Sequence, residues 1–176
     1  MAKVTASKMD AACAQLDAAI EMYFTFDNPI ATHTLTMAAY NILRDFAKNN
    51  GSEHPFLKTR FLDEYPKSKR AALLQFINGP ENFFKHADND PTGILTFDPE
   101  ITETFLIDAC AYFRDKDIPK PKYYDVLKVW LGNAKVDLSE ESKTFTETFA
   151  DTLPTKGKAE YWKFMSLYLA TRQTTQ

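Results

Sequence analysis

An all-α fold, a single domain built as a bundle of about six to eight helices, is what this 176-residue chain predicts. Three observations carry that expectation. Apolar residues recur every three to four positions in nearly every segment, as they do when one helix face turns toward a core. Convincing alternation at period two, which a half-buried strand requires, is absent. The dipeptides Asn28-Pro29 and Asp98-Pro99 each pair a capping side chain with a residue suited to the first helical turn.

The elements follow in order. Met9, Cys13, Leu16, Ile20 and Phe24 form one stripe, which predicts a first helix over about residues 7 to 24. Asn28-Pro29 opens a second, over about residues 29 to 47, and Asn49-Asn50-Gly51 stops it. That central helix carries Leu35, Ala38, Ala39, Ile42, Leu43 and Phe46 on one face and His33, Met37 and Tyr40 on another, and apolar character wrapping a helix predicts burial. A shorter segment from Pro55 to Glu64 ends at Tyr65-Pro66, because the residue before proline avoids helical dihedrals.

Lys67 to Asn78 is expected to be helical with Ala71, Leu74 and Ile77 facing inward, until Gly79-Pro80 kinks or breaks it and a helix restarts. Asp88 to Gly93 is dense in turn formers, and Ile94-Leu95-Thr96-Phe97 reads as a short extended run. After Asp98-Pro99, the residues Phe105, Leu106, Ala109, Cys110 and Phe113 mark the inner side of a helix that stops near Lys116. Ile118-Pro119-Lys120-Pro121 is linker-like. Tyr123, Val126, Leu127, Trp130 and Leu131 then give a helix ending at Gly132, Ser139-Glu140-Glu141 opens another, and Tyr161, Phe164, Met165, Tyr168 and Leu169 mark a last one over about 158 to 171.

Composition removes several function classes. A net charge of -3 supplies no global positive field for nucleic acid or an anionic membrane. No apolar run of about 18 residues or signal-type N-terminus occurs, so a cytoplasmic protein without membrane spans is expected. The two cysteines, Cys13 and Cys110, fall on apolar helix faces, where a thiol acts as a small hydrophobe and a disulfide is not expected. There is no Cys-x-x-Cys pair, no His-Glu-x-x-His and no glycine-rich phosphate loop, and none of His33, His54 and His86 follows a Glu by three residues as a di-iron bundle requires. Asp88-x-Asp90 begins like a calcium loop, but the twelfth position is not glutamate unless the count shifts by one to Glu100. No metal or cofactor is expected.

One motif survives. If Pro80 opens a helix, Asn82 and His86 project from the same face one turn apart, with His86 able to move a proton. Asn82 and His86 are the candidate catalytic pair. Lys85 and Asp88 flank it, and with His33 and Tyr40 of the central helix they form the candidate binding set. The plainer alternative is that Phe83 and Ala87 pack inward, His86 bonds a helix end or a carboxylate, and Glu81 with Lys85 is an ordinary ion pair at i, i+4.

The segment Glu81-Asn82-Phe83-Phe84-Lys85-His86 resembles the signature of HEPN domains, small helical bundles in which an arginine, a polar residue and a later histidine form a metal-independent ribonuclease site in many members. Order and spacing agree at Asn82 and His86 and depart at Glu81, where the signature has arginine. The stretches His33-Thr34-Leu35-x-x-Ala38-Ala39-Tyr40-x-Ile42-Leu43 and Asn82-Phe83-Phe84-Lys85-His86-Ala87-Asp88-x-Asp90-Pro91 are also similar to a set of uncharacterised bacterial proteins, over about residues 10 to 115, with helices of about 121 to 172 packed on that core. The resemblance implies a homodimer, since HEPN sites are typically built between two copies, and a place in bacterial stress or phage defence. Phosphodiester cleavage needs a fixed cation beside the histidine. Glu81 is the wrong charge, so Arg44, Arg70 or Lys85 would have to substitute.

Three functions therefore stand open. The first is a HEPN-like binding or interaction module, for an RNA or protein partner, with a degenerate site. The second is an active metal-independent ribonuclease using Asn82 and His86. The third is an unrelated helical protein that binds a small molecule or partner through Tyr123, Tyr124 and Trp130, or through the loop from Asp88 to Phe97.

Overall fold

The computed structural model describes residues 3–25, 28–52, 54–88, 90–114, 116–132 and 157–173. Among these residues the chain is all-α, with seven α-helices and no strand, packed as one bundle. The helix predicted to open at Ser139-Glu140-Glu141 lies outside the described residues, as do the side chains of Phe164, Tyr168 and Leu169.

Helix α1 (Lys8–Thr25) begins with a reciprocal cap: the Asp10 amide donates to Ser7 Oγ at 3.0 Å and the Ser7 amide to Asp10 Oδ2 at 2.8 Å. Helix α2 (Pro29–Asn49) starts as its sequence predicts, with the Ala31 amide donating to Asn28 Oδ1 at 3.1 Å. It ends at Gly51, whose φ of 64° lets the Gly51 and Ser52 amides return to the carbonyls of Lys48 and Ala47. The two helices form an antiparallel hairpin whose inner residues Leu16, Ile20, Met37, Tyr40 and Leu43 have no exposed surface. The inner face of α2 is the one with His33, Met37 and Tyr40, together with Thr32, Thr36, Ala39, Leu43 and Ala47. Of the other predicted face Ala39 and Leu43 are fully buried, Leu35, Ala38 and Ile42 are half-buried and Phe46 is exposed, so part of it reaches the core as well.

Helix α3 (Leu57–Glu64) is short, and no side chain of its own caps it. The cap comes from other helices. The Leu57 amide donates to Asp108 Oδ2 at 2.8 Å and the Lys58 amide to the Tyr40 hydroxyl at 3.0 Å, which satisfies two of the donors a helix N-terminus exposes. A single 3-10 turn (Lys67–Lys69) leads into α4 (Arg70–Lys85).

The restart expected at Gly79-Pro80 does not occur. Helix α4 runs through both residues and ends at His86. Proline costs the helix one hydrogen bond, and its ring clashes with a β-carbon on the preceding residue; glycine at position 79 has none. Of the α4 residues only Ile77, Pro80 and Glu81 are buried; Ala71 is exposed and Leu74 half-buried, so the predicted inward face survives only at Ile77.

The run Ile94 to Phe97 is irregular coil, with Ile94 96% exposed. Helix α5 (Glu100–Ala111) buries every predicted inner residue within it, and Phe113 beyond it. Helix α6 (Tyr124–Gly132) and helix α7 (Lys158–Gln173) close the side of α1: Phe24 packs against Trp130 and Tyr161, whose hydroxyl donates to the Val126 carbonyl at 2.5 Å. Tyr123 and Trp130 are half-buried against Trp162 and Tyr161, and Tyr124 is buried, so this aromatic cluster belongs mainly to packing. Cys13 and Cys110 are free thiols, and burial pushes the Cys110 thiol up from its ordinary value. No helix of the described residues is long and apolar enough to cross a membrane.

Candidate functional site

Because α4 continues through Pro80, Asn82 lies in its last turn and His86 is its C-cap. His86 has extended dihedrals (φ -131°, ψ 131°), and its amide donates to the Asn82 carbonyl at 3.0 Å. Both side chains are exposed and line one shallow, open hollow of about 500 Å³ with Gly79, Phe83, Asp88 and Asp90. The hollow therefore sits at the negative end of a helix macrodipole, not at the positive end that a restarted helix would have offered. Among the described residues, two carboxylates and no lysine or arginine line it. One wall is fixed by a turn in which the Gly93 amide meets the Asp90 carbonyl at 3.3 Å; a β-carbon at Gly93 would overlap the Asp90 carboxylate.

Glu81, the neighbour of Asn82, points the other way. Its carboxylate is 9% exposed, accepts two hydrogen bonds from Asn41 Nδ2 at 3.0 and 3.1 Å, and meets Lys85 Nζ at 2.5 Å. The same Asn41 offers its oxygen to Lys58 Nζ at 3.4 Å, and Asn78 Oδ1 accepts from that ammonium at 2.6 Å. Lys58 is 5% exposed, and burial, with the nearby Arg44 guanidinium, holds its ammonium below the ordinary lysine value. The result is a polar clamp between α2, α3 and α4. Sequence reasoning missed Lys58, Asn41 and Asn78; the one available signal was asparagine inside two helices, where it is disfavoured unless its amide has tertiary partners.

The other predicted site residues are distributed as follows. His33 has no exposed surface; its Nδ1 lies 2.9 Å from Thr102 Oγ1, its ring packs against Phe84 and Phe97, and its Nε2 has no partner among the described residues. Burial holds that imidazole below the ordinary histidine value. Tyr40 is fully buried between Phe56 and Phe105, and burial pushes its hydroxyl upward. Lys85 is committed to Glu81, while Asp88 lines the hollow with His86. The substitute cations are engaged elsewhere as well: Arg44 pairs with Asp45 at 3.0 Å, and Arg70 donates to the carbonyls of Tyr65 and Asp63 at 3.0 and 3.3 Å.

A second cavity, of about 190 Å³, lies where α1 ends and α2, α5 and α7 begin. On its wall the Tyr23 hydroxyl donates to Glu103 Oε2 at 2.6 Å, and Lys158 Nζ stands 3.6 Å from the Tyr23 ring centroid. Among the described residues no group of three or more His, Cys, Asp or Glu side chains is arranged to hold a metal ion. No protein-family model matches the chain, and neither a curated protein nor a solved structure matches it.

Proposed function

We propose that this protein is a HEPN-like helical binding and interaction module with a degenerate nuclease-type site, working as a homodimer on an RNA or protein partner in bacterial stress or phage defence. The observation that carries the reading is the placement of Glu81. Where the resembled signature has arginine, this chain has a carboxylate turned inward and held by Asn41 and Lys85. A phosphodiester at His86 would face the carboxylates of Asp88 and Asp90 and the negative end of α4. It would lack the fixed cation that stabilises charge at phosphorus. What the exposed amide, imidazole and carboxylates do supply, beside the ring of Phe83, is hydrogen bonding to polar or cationic groups of a partner.

The alternative, an active metal-independent ribonuclease, is favoured by the shared exposure of Asn82 and His86 on one hollow. RNA cleavage in EDTA by the wild type and by His86→Ala separates the two. The expected outcome is no cleavage by either protein. Cleavage by the wild type that disappears in a folded His86→Ala variant would replace the module with the enzyme.

A further inference from the structure

The cavity of about 190 Å³ between the end of α1 and the starts of α2, α5 and α7 shares no lining residue with the hollow around His86. Its walls carry charge of both signs. Glu100 and Glu103 stand in the first turn of α5, and Lys158 opens α7. Among the described residues none of the three belongs to an ion pair. Glu103 Oε2 accepts the Tyr23 hydroxyl at 2.6 Å, while the Lys158 ammonium stands over the ring of the same tyrosine, 3.6 Å from its centroid. Tyr23 therefore holds an anion at its edge and a cation on its face.

The uncharged polar groups of the lining are fixed as well. Thr32, 4% exposed, donates its hydroxyl to the Asn28 carbonyl at 2.8 Å and so has only lone pairs left for a ligand. Thr102, equally buried, is held by His33 Nδ1 at 2.9 Å. Asn28 uses its amide oxygen to accept the Ala31 amide, which leaves Nδ2 as a donor without a partner among the described residues. An enclosed cavity of about 150 Å³ holds a six-carbon ring, so this one admits about that many non-hydrogen atoms or a few more.

A ligand with a positive charge alone would be repelled by Lys158, and one with a negative charge alone by Glu100 and Glu103. A molecule that carries both meets a complementary group for each. We infer that the cavity binds a small zwitterion, one primary ammonium and one carboxylate joined by a few carbons, as in a free amino acid. The ammonium goes to Glu100, Glu103 and the lone pairs of Thr32, in charge-assisted hydrogen bonds. The carboxylate goes to Lys158 and Asn28 Nδ2, at the end of α2 where the helix macrodipole favours negative charge. Met22, Pro29 and Pro99 supply an apolar wall for the carbons between them. This site and the hollow around His86 stand or fall separately.

Amide chemical shifts of the isotope-labelled full chain test it, with alanine, β-alanine and γ-aminobutyrate as zwitterions, propylamine as the ammonium alone and propionate as the carboxylate alone. At least one zwitterion is expected to shift, saturably, the amides in the first turns of α2 and α5. The two singly charged probes are expected to leave them in place. Lys158→Met should weaken that zwitterion about tenfold or more and admit propylamine instead, and Glu100→Gln with Glu103→Gln should weaken it about as much, since each removes a charge-assisted contact. Lys158 and Glu100 are exposed, so Lys158→Met and Glu100→Gln leave the fold intact and a loss of binding in them reads the site alone. No shift with any zwitterion at millimolar concentration, shifts confined to the hollow around His86, propylamine or propionate bound as tightly as the zwitterion, or a zwitterion indifferent to Lys158→Met would each overturn the proposal.

Discussion

Lys85 Nζ reaches back one helical turn to Glu81 Oε1 at 2.5 Å, and the carboxylate it meets faces α2, away from Asn82 and His86. Two adjacent residues of one short motif therefore serve different purposes: Glu81 fastens α4 to α2, and Asn82 presents its amide to solvent. Replacing Glu81 by the arginine of the resembled signature should not create a nuclease. It would instead bury a cation among Lys58 and Lys85, at a cost of about 3–5 kcal/mol, as breaking a buried pair does. Urea unfolding checks the stability of Glu81→Arg, and RNA cleavage checks its activity; a stable, active variant would refute the inward placement.

The exposed pair should behave oppositely. Asn82→Ala and His86→Ala remove exposed side chains, so each is expected within about 0.5 kcal/mol of the wild type in urea unfolding. A large loss in either would mean that the hollow is closed in solution.

Tyr40→Phe removes only the hydroxyl that accepts the Lys58 amide at the start of α3. The ring stays packed, but a buried N–H loses its partner, which should cost about 1–3 kcal/mol. The loss should be accompanied by faster hydrogen exchange at the first amides of α3. An unchanged midpoint would show that water reaches this helix end.

Stability should fall on mild acidification. Burial holds the imidazoles of His33 and His54 below the ordinary value, opposed by Glu81 at the first and Asp108 at the second. In the unfolded chain both titrate near about 6.5, so below that pH the unfolded state binds more protons than the folded one. The stability associated with neutral histidine is thus present above about pH 6.5 and lost as pH drops toward the depressed folded values. Thermal melts between pH 7 and pH 5 should show a falling midpoint, and the combined His33→Gln and His54→Gln variant should show a shallower slope. An equal slope in that variant would assign the acid sensitivity to other groups.

Local signals in the chain gave the helices well. Asn28-Pro29 caps α2 and Gly51 ends it by the mechanisms their residue types imply, because caps depend on a few neighbouring residues. Gly79-Pro80 leaves a kink and a break both open in sequence, since proline normally punctuates a helix, and α4 runs through both residues. A break would put His86 early in a helix, whereas the continuous α4 puts it at the end of one. The clamp of Lys58, Asn41, Asn78 and Glu81 was illegible for another reason: each residue is ordinary on a surface, and only the approach of α2, α3 and α4 removes them from water. Similarly, His33 and Tyr40 stood out by residue type, while their burial depends on Thr102, Phe56 and Phe105 from distant positions.

The sparse anchoring of α4 has a kinetic consequence. With Ile77, Pro80 and Glu81 as its buried residues, and with a hydrogen bond forfeited at Pro80, this helix has little apolar area to expose when it lifts away. The α1–α2 hairpin has far more. Native-state hydrogen exchange should therefore resolve α4 as a separate opening unit, below the global unfolding free energy, while the amides of α1 and α2 exchange only with the whole molecule. The surface that bears Asn82 and His86 then samples other conformations more readily than the α1–α2 hairpin does, and a partner that binds there would slow its opening without altering that hairpin.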